Sequence, residues 1–443
     1  MPQRTVGNPT GRDLGTSLGD RERRPCVPYD QGMGEGARGK QKRRWVRWVL
    51  WIGLVLVVAL SGYTGYVASR AAQPVTLPSP TGPYKVGRTL VEWTDSARTD
   101  QLAPQPGKPR ELSVWLWYPG VPGPGAQHAP YTPGAWAGLH LSGPAGLGET
   151  RFADVRDNSY ADVPVAGGQF PVVVLEPGMG LAAPQYATLA EELASHGYLV
   201  AGVTPTYSAN LTVLDGQTVS ATEAGKPSAI DTTNEHAGDA QAAGDRLVAI
   251  WAADGQFVAT HVAGLNTSGR FAGQINASTI VYAGHSFGGA AALEACRTDS
   301  RCAGAVDLDG TQYGTVVRSG LAKPMMLIGS RNSCITGTCQ PVDAGDQASR
   351  DTAWTLLVAS TGDVWCYQIT GAGHFNFSDY GGYYLAAPIR SQVPLGPIDG
   401  TEALTITNAY LTAFVDHVTQ GRPEPLLTGH SPYPQIDVQH TPS

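Results

Sequence analysis

The sequence lacks the short motifs by which metal and nucleotide sites are commonly recognised. Its six cysteines form no Cys-x-x-Cys pair, and its ten histidines form no cluster with the spacing of metal ligands. No GxGxxG or Walker pattern lies between a strand-like and a helix-like stretch, and no internal repeat is visible. We therefore expect no metal and no other cofactor.

Charge is also scarce, and it is unevenly distributed. Only 15% of the residues are charged and the formal net charge is −7, yet residues 1–47 contain 11 Lys or Arg against 5 Asp or Glu. The rest of the chain is therefore strongly acidic, which argues against a nucleic-acid partner. With 443 residues, 42% of them hydrophobic, the chain can build one large α/β domain with additional segments.

The N-terminal region indicates a membrane anchor. Residues 1–47 are rich in Gly, Pro and Arg without apolar periodicity, so we expect a disordered tail. Residues 48–68, WVLWIGLVLVVALSGYTGYVA, carry no charge and are long enough to cross a bilayer. Basic residues immediately before this run predict a cytoplasmic N-terminus, with the rest of the chain outside the cell membrane. Residues 69–80 are predicted to be a short extended linker.

A cleaved signal peptide is the alternative to this single-pass signal anchor. The apolar part of a signal peptide normally has about 7–15 residues, and no small-x-small cleavage pattern follows the run, so we favour the anchor. The number of cysteines after the apolar run is consistent with a domain in an oxidising compartment, outside the cytoplasm. Cys296 and Cys302, and Cys334 and Cys339, are short-range pairs that could form disulfides, which leaves Cys366 over unless the pairing differs.

The stretch YAGHSFGGAAALEA contains the candidate nucleophile. STIVYA before it predicts a buried strand and GGAAALEACR predicts a helix, so Gly284-His285-Ser286-Phe287-Gly288 fits the G-x-S-x-G nucleophile elbow in its required context. The glycines are needed because the strand and helix approach closely at this sharp turn. The alternative is an ordinary turn serine in a glycine-rich chain.

A nucleophilic serine needs a base and an orienting acid, which follow an elbow serine in the order acid, then His. Asp309 ends the strand-like run AGAVDLDG, whereas Asp307 is expected to make a structural hydrogen bond. Histidines after Asp309 are His374, His417, His430 and His440. His374 lies in the glycine-rich loop of ITGAGHFNFSDY, while the others lie on an amphipathic helix or in a Pro-rich tail. We therefore predict Asp309 as the acid and His374 as the base.

An oxyanion hole requires two N–H donors. The residue after the nucleophile, Phe287, supplies one. The loop in FPVVVLEPGMG, between an apolar strand and a helix, predicts Met179 as the second donor through its backbone. The alternative for EPGMG is an ordinary strand-to-helix turn. His285, beside the nucleophile, is expected to face away from it.

These residues together resemble the α/β-hydrolases of the plasma-type platelet-activating factor acetylhydrolase family and its bacterial relatives. The resemblance extends from about Thr81 to Gly421, and its motifs are TGPYKVGRTL, RELSVWLWYPG, FPVVVLEPGMG, LASHGYLVAGV, GHSFGGA, VDLDG and GHFNFSD. It implies a mainly parallel central sheet with helices on both faces. It also assigns the triad to Ser286, Asp309 and His374, and the oxyanion donors to Met179 and Phe287.

The chain departs from this family in two places. Pro177, preceded by Glu176, stands where relatives usually carry a histidine before the first oxyanion glycine, which affects the shape of the hole and of the acyl pocket. Residues 207–238 form a long polar insertion, either a lid or substrate rim or a solvated loop. We delimit the hydrolase domain at 81–425, followed by a Pro-rich tail at 426–443.

The resulting hypothesis is a serine ester hydrolase outside the cytoplasm that works through an acyl-enzyme. The resemblance implies carboxylic esters with short or oxidised acyl groups, including those of phospholipids. Two alternatives remain: a cutinase-like polyester hydrolase, and a membrane-anchored hydrolase fold that binds without catalysing.

Overall fold

A computed structural model of the protein describes residues 35–140, 143–230 and 237–442. The strands in chain order are β1 (Val75–Thr76), β2 (Lys85–Thr99), β3 (Pro109–Gly120), β4 (Val155–Arg156), β5 (Ser159–Ala161), β6 (Phe170–Glu176), β7 (Leu199–Thr204), β8 (Thr212–Leu214), β9 (Gln217–Val219), β10 (Ile275–His285), β11 (Cys302–Leu308), β12 (Met325–Gly329), β13 (Val364–Ile369) and β14 (Ile436–His440). The helices are α1 (Glu35–Ala71), α2 (Ala187–Ser195), α3 (Ala237–Leu265), α4 (Phe287–Thr298), α5 (Val316–Ser319), α6 (Ala344–Ala359), α7 (Ala387–Arg390) and α8 (Gly400–Gln420).

Helix α1 is longer than the apolar run that predicted it. The prediction of disorder for residues 1–34 lies outside the described residues, but residues 35–47 are helical and not disordered. Lys, Gln and Arg are good helix formers, so this basic stretch continues the helix of the apolar run. Residues Gln41–Ala71 are long and apolar enough to cross a membrane. The chain divides into two units between Thr64 and Gly65, within α1.

The second unit is built on a ten-stranded sheet with the order β14-β13-β12-β11-β10-β6-β7-β3-β2-β5. Strands β13 through β7 in this order are parallel to one another. Strand β3 pairs antiparallel with both β2 and β7. The sheet is therefore mainly parallel, with antiparallel strands towards its ends.

Helices cover both faces of this sheet, because the central strands carry apolar side chains on both faces. In β6, Val173 and Leu175 pack into a core with α2 and α8. Val172 and Val174 point to the opposite face and pack with α3 and α4. The run PVVVL thus serves two cores at once, and the carboxyl ends of β6, β10, β11 and β13 meet at one edge of the sheet.

The predicted limits of the hydrolase domain are too narrow at both ends. Residues 69–80 are not simply an extended linker, because α1 continues to Ala71 and β1 pairs with β4. Residues 426–443 are not a free tail, because β14 pairs antiparallel with β13 and adds the last strand of the sheet. The alternating residues Ile436 and Val438 pack against the core, a pattern too short to stand out beside Pro432 and Pro434.

Candidate active site

Ser286 lies in a sharp turn between β10 and α4. Its backbone has φ +56° and ψ −126°, a strained conformation for a residue other than glycine. A Cβ at Gly284 would overlap the backbone of Gly288, and a Cβ at Gly288 would overlap the carbonyl oxygen of Glu176. The predicted requirement for glycine at both positions is therefore confirmed.

Ser286, His374 and Asp309 form a continuous hydrogen-bonded row. Nε2 of His374 lies 2.9 Å from Oγ of Ser286, and Nδ1 lies 2.7 Å from Oδ2 of Asp309. The three residues are separated by up to 88 positions in the sequence. Because the carboxylate accepts the hydrogen of Nδ1, Nε2 is left as a base facing the serine hydroxyl.

Asp309 follows β11 and remains an acceptor although it is buried. Its Oδ1 accepts the N–H of Ser330 at 2.7 Å, while Oδ2 accepts that of His374. Burial alone raises the pKa of Asp309, but the hydrogen bonds and charge of His374, together with the Ser330 N–H, outweigh burial and lower it below 3.8. The carboxylate therefore stays ionised and can stabilise a positive charge on the imidazole.

His374 lies in a short helical turn, His374–Phe377, after β13. Its side chain is about one third exposed. Asn376 fixes the turn from inside, since its buried Oδ1 accepts the N–H groups of Gly373 and Gly396, each at 2.8 Å. Sequence reasoning missed Asn376, whose only signal was an amide residue two positions after the candidate base.

Asp307 has the structural role predicted for it. Its side chain is fully buried, its Oδ1 accepts the Gly310 N–H at 2.8 Å and its Oδ2 accepts Nε2 of Gln312 at 3.2 Å. Burial raises its pKa well above the ordinary value of an aspartate. Asp307 thus supports the turn after β11, while Asp309 faces the histidine.

The loop after β6 lies directly against the nucleophile. A Cβ placed on Gly178 would be 3.2 Å from Cβ of Ser286. Among the described residues, no acceptor takes the backbone N–H of either Met179 or Phe287. Phe287 begins α4, so its N–H is one of the free donors of a helix N-terminus. Both predicted donors are thus available to an incoming oxygen.

Glu176, which ends β6 and precedes Pro177, is buried beneath the elbow. Its Oε1 has no hydrogen-bond partner and lies where a Cβ on Gly255 would need to be. Burial, with a smaller contribution from the nearby charge of Asp254, raises its pKa well above 4.5. Burial therefore favours the neutral carboxyl group, and its Oε1 lies towards Gly255 and away from the reacting atoms.

A cluster of aliphatic and aromatic side chains lies beside the candidate site, next to residues 207–230. The Phe287 ring packs against Trp251 and Tyr313, with ring centroids 5.0 and 5.5 Å apart, and Met179 and Tyr207 pack against this cluster. Strands β8 and β9 form a hairpin in the polar insertion. Residues 231–236 of that insertion lie outside the described residues, so its prediction as a lid or rim remains a prediction.

The predicted cysteine pairs are bonded. Disulfides join Cys296 to Cys302 and Cys334 to Cys339, and Cys366 is free and buried. In the described ranges, no group of three or more His, Cys, Asp or Glu side chains is arranged to hold a metal ion.

The chain is similar to known proteins in sequence and in fold. The family described as platelet-activating factor acetylhydrolase, isoform II, matches residues 254–421. A probable 1-alkyl-2-acetylglycerophosphocholine esterase of Arthroderma benhamiae is 24% identical over 404 residues, 84% of this chain and 95% of its own length. The platelet-activating factor acetylhydrolase of Cavia porcellus is 24% identical over 77% of both chains.

A solved structure extends the comparison to the fold. The ferulic acid esterase of Streptomyces cinnamoneus superposes with a TM-score of 0.68 at 28% identity and covers 83% of this chain and all of its own. The matched family region contains Ser286, Asp309 and His374. The chain therefore has an α/β-hydrolase fold and is similar to the platelet-activating factor acetylhydrolases, and it is a carboxylic ester hydrolase.

Proposed function

We propose that Ser286, His374 and Asp309 are the catalytic triad of a serine esterase that acts through an acyl-enzyme. The observation that carries this proposal is the row of hydrogen bonds of 2.7 and 2.9 Å that joins the three side chains at a strained elbow. An ionised Asp309, a base nitrogen facing the hydroxyl and two unoccupied N–H donors are the parts that acyl transfer needs.

The reaction follows from these positions. Nε2 of His374 takes the proton of the Ser286 hydroxyl as Oγ attacks the ester carbonyl carbon. The N–H groups of Met179 and Phe287 donate to the resulting oxyanion, and Asp309 stabilises the imidazolium. When the tetrahedral adduct collapses, His374 gives its proton to the departing alcohol. A water molecule, deprotonated by His374, then releases the acid and restores the serine.

The first experiment asks whether Ser286 is the nucleophile. A fluorophosphonate probe should label the wild-type chain, and Ser286→Ala should abolish labelling together with ester hydrolysis. Ser278→Ala is the matched control, because Ser278 is an exposed serine on the same strand. An unlabelled wild type, or equal labelling of the Ser286 variant, would favour the binding protein without catalysis.

The proposed substrates are esters with short acyl groups, including those of phospholipids. The two curated relatives support this class by their names, and a membrane anchor would hold the enzyme close to lipid. Hydrolysis of p-nitrophenyl esters should fall as the acyl chain lengthens, and a 2-acetyl phospholipid should be cleaved faster than its long-chain counterpart. A rate that rises with acyl length would remove this substrate class.

Esters of aromatic acids are the second candidate. The observation that favours them is the sequence identity of the ferulic acid esterase to this chain, 28%, against 24% for each of the two acetylhydrolase relatives. Methyl ferulate and a 2-acetyl phospholipid, compared by kcat/KM on the same preparation, distinguish the two candidates. A polyester film added to the series tests the cutinase-like alternative.

We also propose that α1 anchors the enzyme with its N-terminus in the cytoplasm and residues 72–443 outside. The support is the apolar span Gln41–Ala71, the basic residues before it and the two disulfides of the second unit. In intact cells, external protease should remove the second unit and leave residues 1–64 protected. Protection of the second unit would reverse the orientation.

A further inference from the structure

One buried chain of hydrogen bonds joins the loop of Met179 to the loop of His374. The Tyr186 hydroxyl accepts the N–H of Gly178 at 2.8 Å and lies 2.7 Å from Nδ1 of His285. Nε2 of His285 lies 2.8 Å from the carbonyl oxygen of His374. We call Gly178, Tyr186, His285 and the His374 carbonyl the positioning chain.

The hydrogens in the positioning chain can be assigned from its partners. The Tyr186 hydroxyl already accepts the Gly178 N–H, so its own hydrogen points to Nδ1 of His285. A neutral imidazole carries one hydrogen, which must then be on Nε2 and is donated to the His374 carbonyl. Burial, followed by the charge of His374, lowers the pKa of His285 to about 3, so the ring is neutral at physiological pH.

The positioning chain adjoins three parts of the proposed machinery. Gly178 precedes the proposed donor Met179, His285 precedes the nucleophile, and the last carbonyl belongs to the base itself. The rings of His285 and His374 are 4.6 Å apart, and both Tyr186 and His285 are buried. A buried hydrogen bond that loses one partner leaves the other unsatisfied, which favours movement of the loop that carries it.

We infer that Tyr186 and His285 are positioning residues that hold the Met179 N–H, the Ser286 hydroxyl and the His374 imidazole in register. Neither side chain forms a hydrogen bond to a reacting atom, and both act through the two loops that they join. This inference rests on the proposed function, since it assigns a task to the surroundings of the same triad. A loop that shifts by about 1 Å can lower the rate roughly 100-fold.

The test compares two buried tyrosines. Tyr186→Phe removes a link of the positioning chain, whereas Tyr198→Phe removes a buried hydroxyl that bonds to Asp416 and Thr419, outside the proposed site. We expect Tyr186→Phe to lower kcat about 10- to 100-fold with KM within about two-fold of wild type. Tyr198→Phe should lower the melting temperature and leave kcat unchanged.

A trifluoromethyl ketone provides the readout that a merely structural role would not move. It forms a tetrahedral oxyanion on the nucleophile, so its affinity for Tyr186→Phe should fall by the same factor as kcat/KM. Wild-type kcat and ketone affinity in a folded Tyr186→Phe would overturn the inference. Equal losses of kcat in both tyrosine variants would do the same.

Two substitutions of His285 test its two hydrogen bonds in the positioning chain separately. They also serve in place of Tyr186→Phe if that variant does not fold. Asn can accept from Tyr186 but cannot reach the His374 carbonyl, whereas Gln can reach this carbonyl. Each should lose part of kcat and ketone affinity, and wild-type values in both would also overturn the inference. A wild-type chain that no fluorophosphonate labels would instead refute the proposed function, so the two failures are distinguishable.

Discussion

Oδ1 of Asp307 occupies the space that a Cβ on Gly289 would need. The carboxyl group cannot move aside, because it is buried and its oxygens accept the Gly310 N–H and the Gln312 amide. The second glycine of the GG pair after the elbow is therefore required by the neighbouring strand β11, and not by the turn itself.

We expect Gly289→Ala to destabilise the fold by about 1–3 kcal/mol, as overpacking of a core usually does. Displacement of Asp307 should also disturb the nearby Asp309 and lower activity. The matched control is Gly264→Ala in α3, where a Cβ would meet nothing within 4 Å. Thermal unfolding of both variants measures the difference, and equal melting temperatures would contradict the prediction.

Asp309→Asn tests the tautomer of the proposed base. An asparagine amide can donate to Nδ1 of His374, which would leave the hydrogen on Nε2 and the wrong group facing Ser286. We expect kcat to fall by about 10⁴-fold, as in other serine triads, with little change in KM. Asp307→Asn is the comparison, and it should affect the melting temperature more than kcat. A fully active Asp309→Asn would exclude Asp309 as the orienting acid.

Glu176 should make the fold less stable as the pH rises. Its pKa is about 4.5 when exposed and much higher in the folded protein, so the folded state binds more protons above pH 4.5. Below pH 4.5 Glu176 is protonated in both states and does not reduce the free energy of unfolding. As the pH rises from 4.5 towards the pKa of the folded state, the free energy of unfolding decreases. Glu176→Gln should raise the melting temperature at pH 8 and flatten this decline. An unchanged pH profile would show that Glu176 is not buried as described.

Arg110 should be far more important for stability than an exposed arginine. It is buried, and it bonds to Asp254, Asp100 and the carbonyl oxygen of Thr206. Arg110→Met leaves two buried carboxylates without their main partner, which typically costs about 3–5 kcal/mol. Arg151→Ala, which removes an exposed ion pair with Asp154, should cost less than about 1 kcal/mol. Denaturant unfolding of both variants measures the loss in the free energy of unfolding, and similar losses would contradict the prediction.

The residues of the candidate site were predictable because each is dictated by local chemistry. A serine between glycines, with a strand before and a helix after, leaves few conformations, and the acid and base then follow at strand ends in a fixed order. Tyr186 and Asn376 were not predictable in this way. Their hydrogen bonds to Gly178, His285 and Gly396 exist only once separate loops approach each other, and no spacing in the sequence encodes that approach.

The limits of the domain were predicted less well, for a physical reason. Composition separates apolar from polar stretches, but a short edge strand needs only a few apolar side chains, and β14 supplies two. Proline at 432 and 434 suggested a loop, yet both residues precede the strand, where proline is tolerated. Similarly, residues 35–47 have no apolar periodicity that would indicate a helix, yet they are helical because they continue the helix of the apolar run.

Strand β14 has a practical consequence for anyone who shortens this protein. It shields the backbone amides of β13, and Thr370 and Trp365 bond to the peptide carbonyls of Gln435 and Leu427. A protein that ends at residue 425 would leave β13 as an exposed edge strand with unpaired backbone groups. Such an edge can pair with the same strand of another molecule and cause aggregation. Expression trials should therefore keep the chain through His440 and attach any affinity tag beyond it.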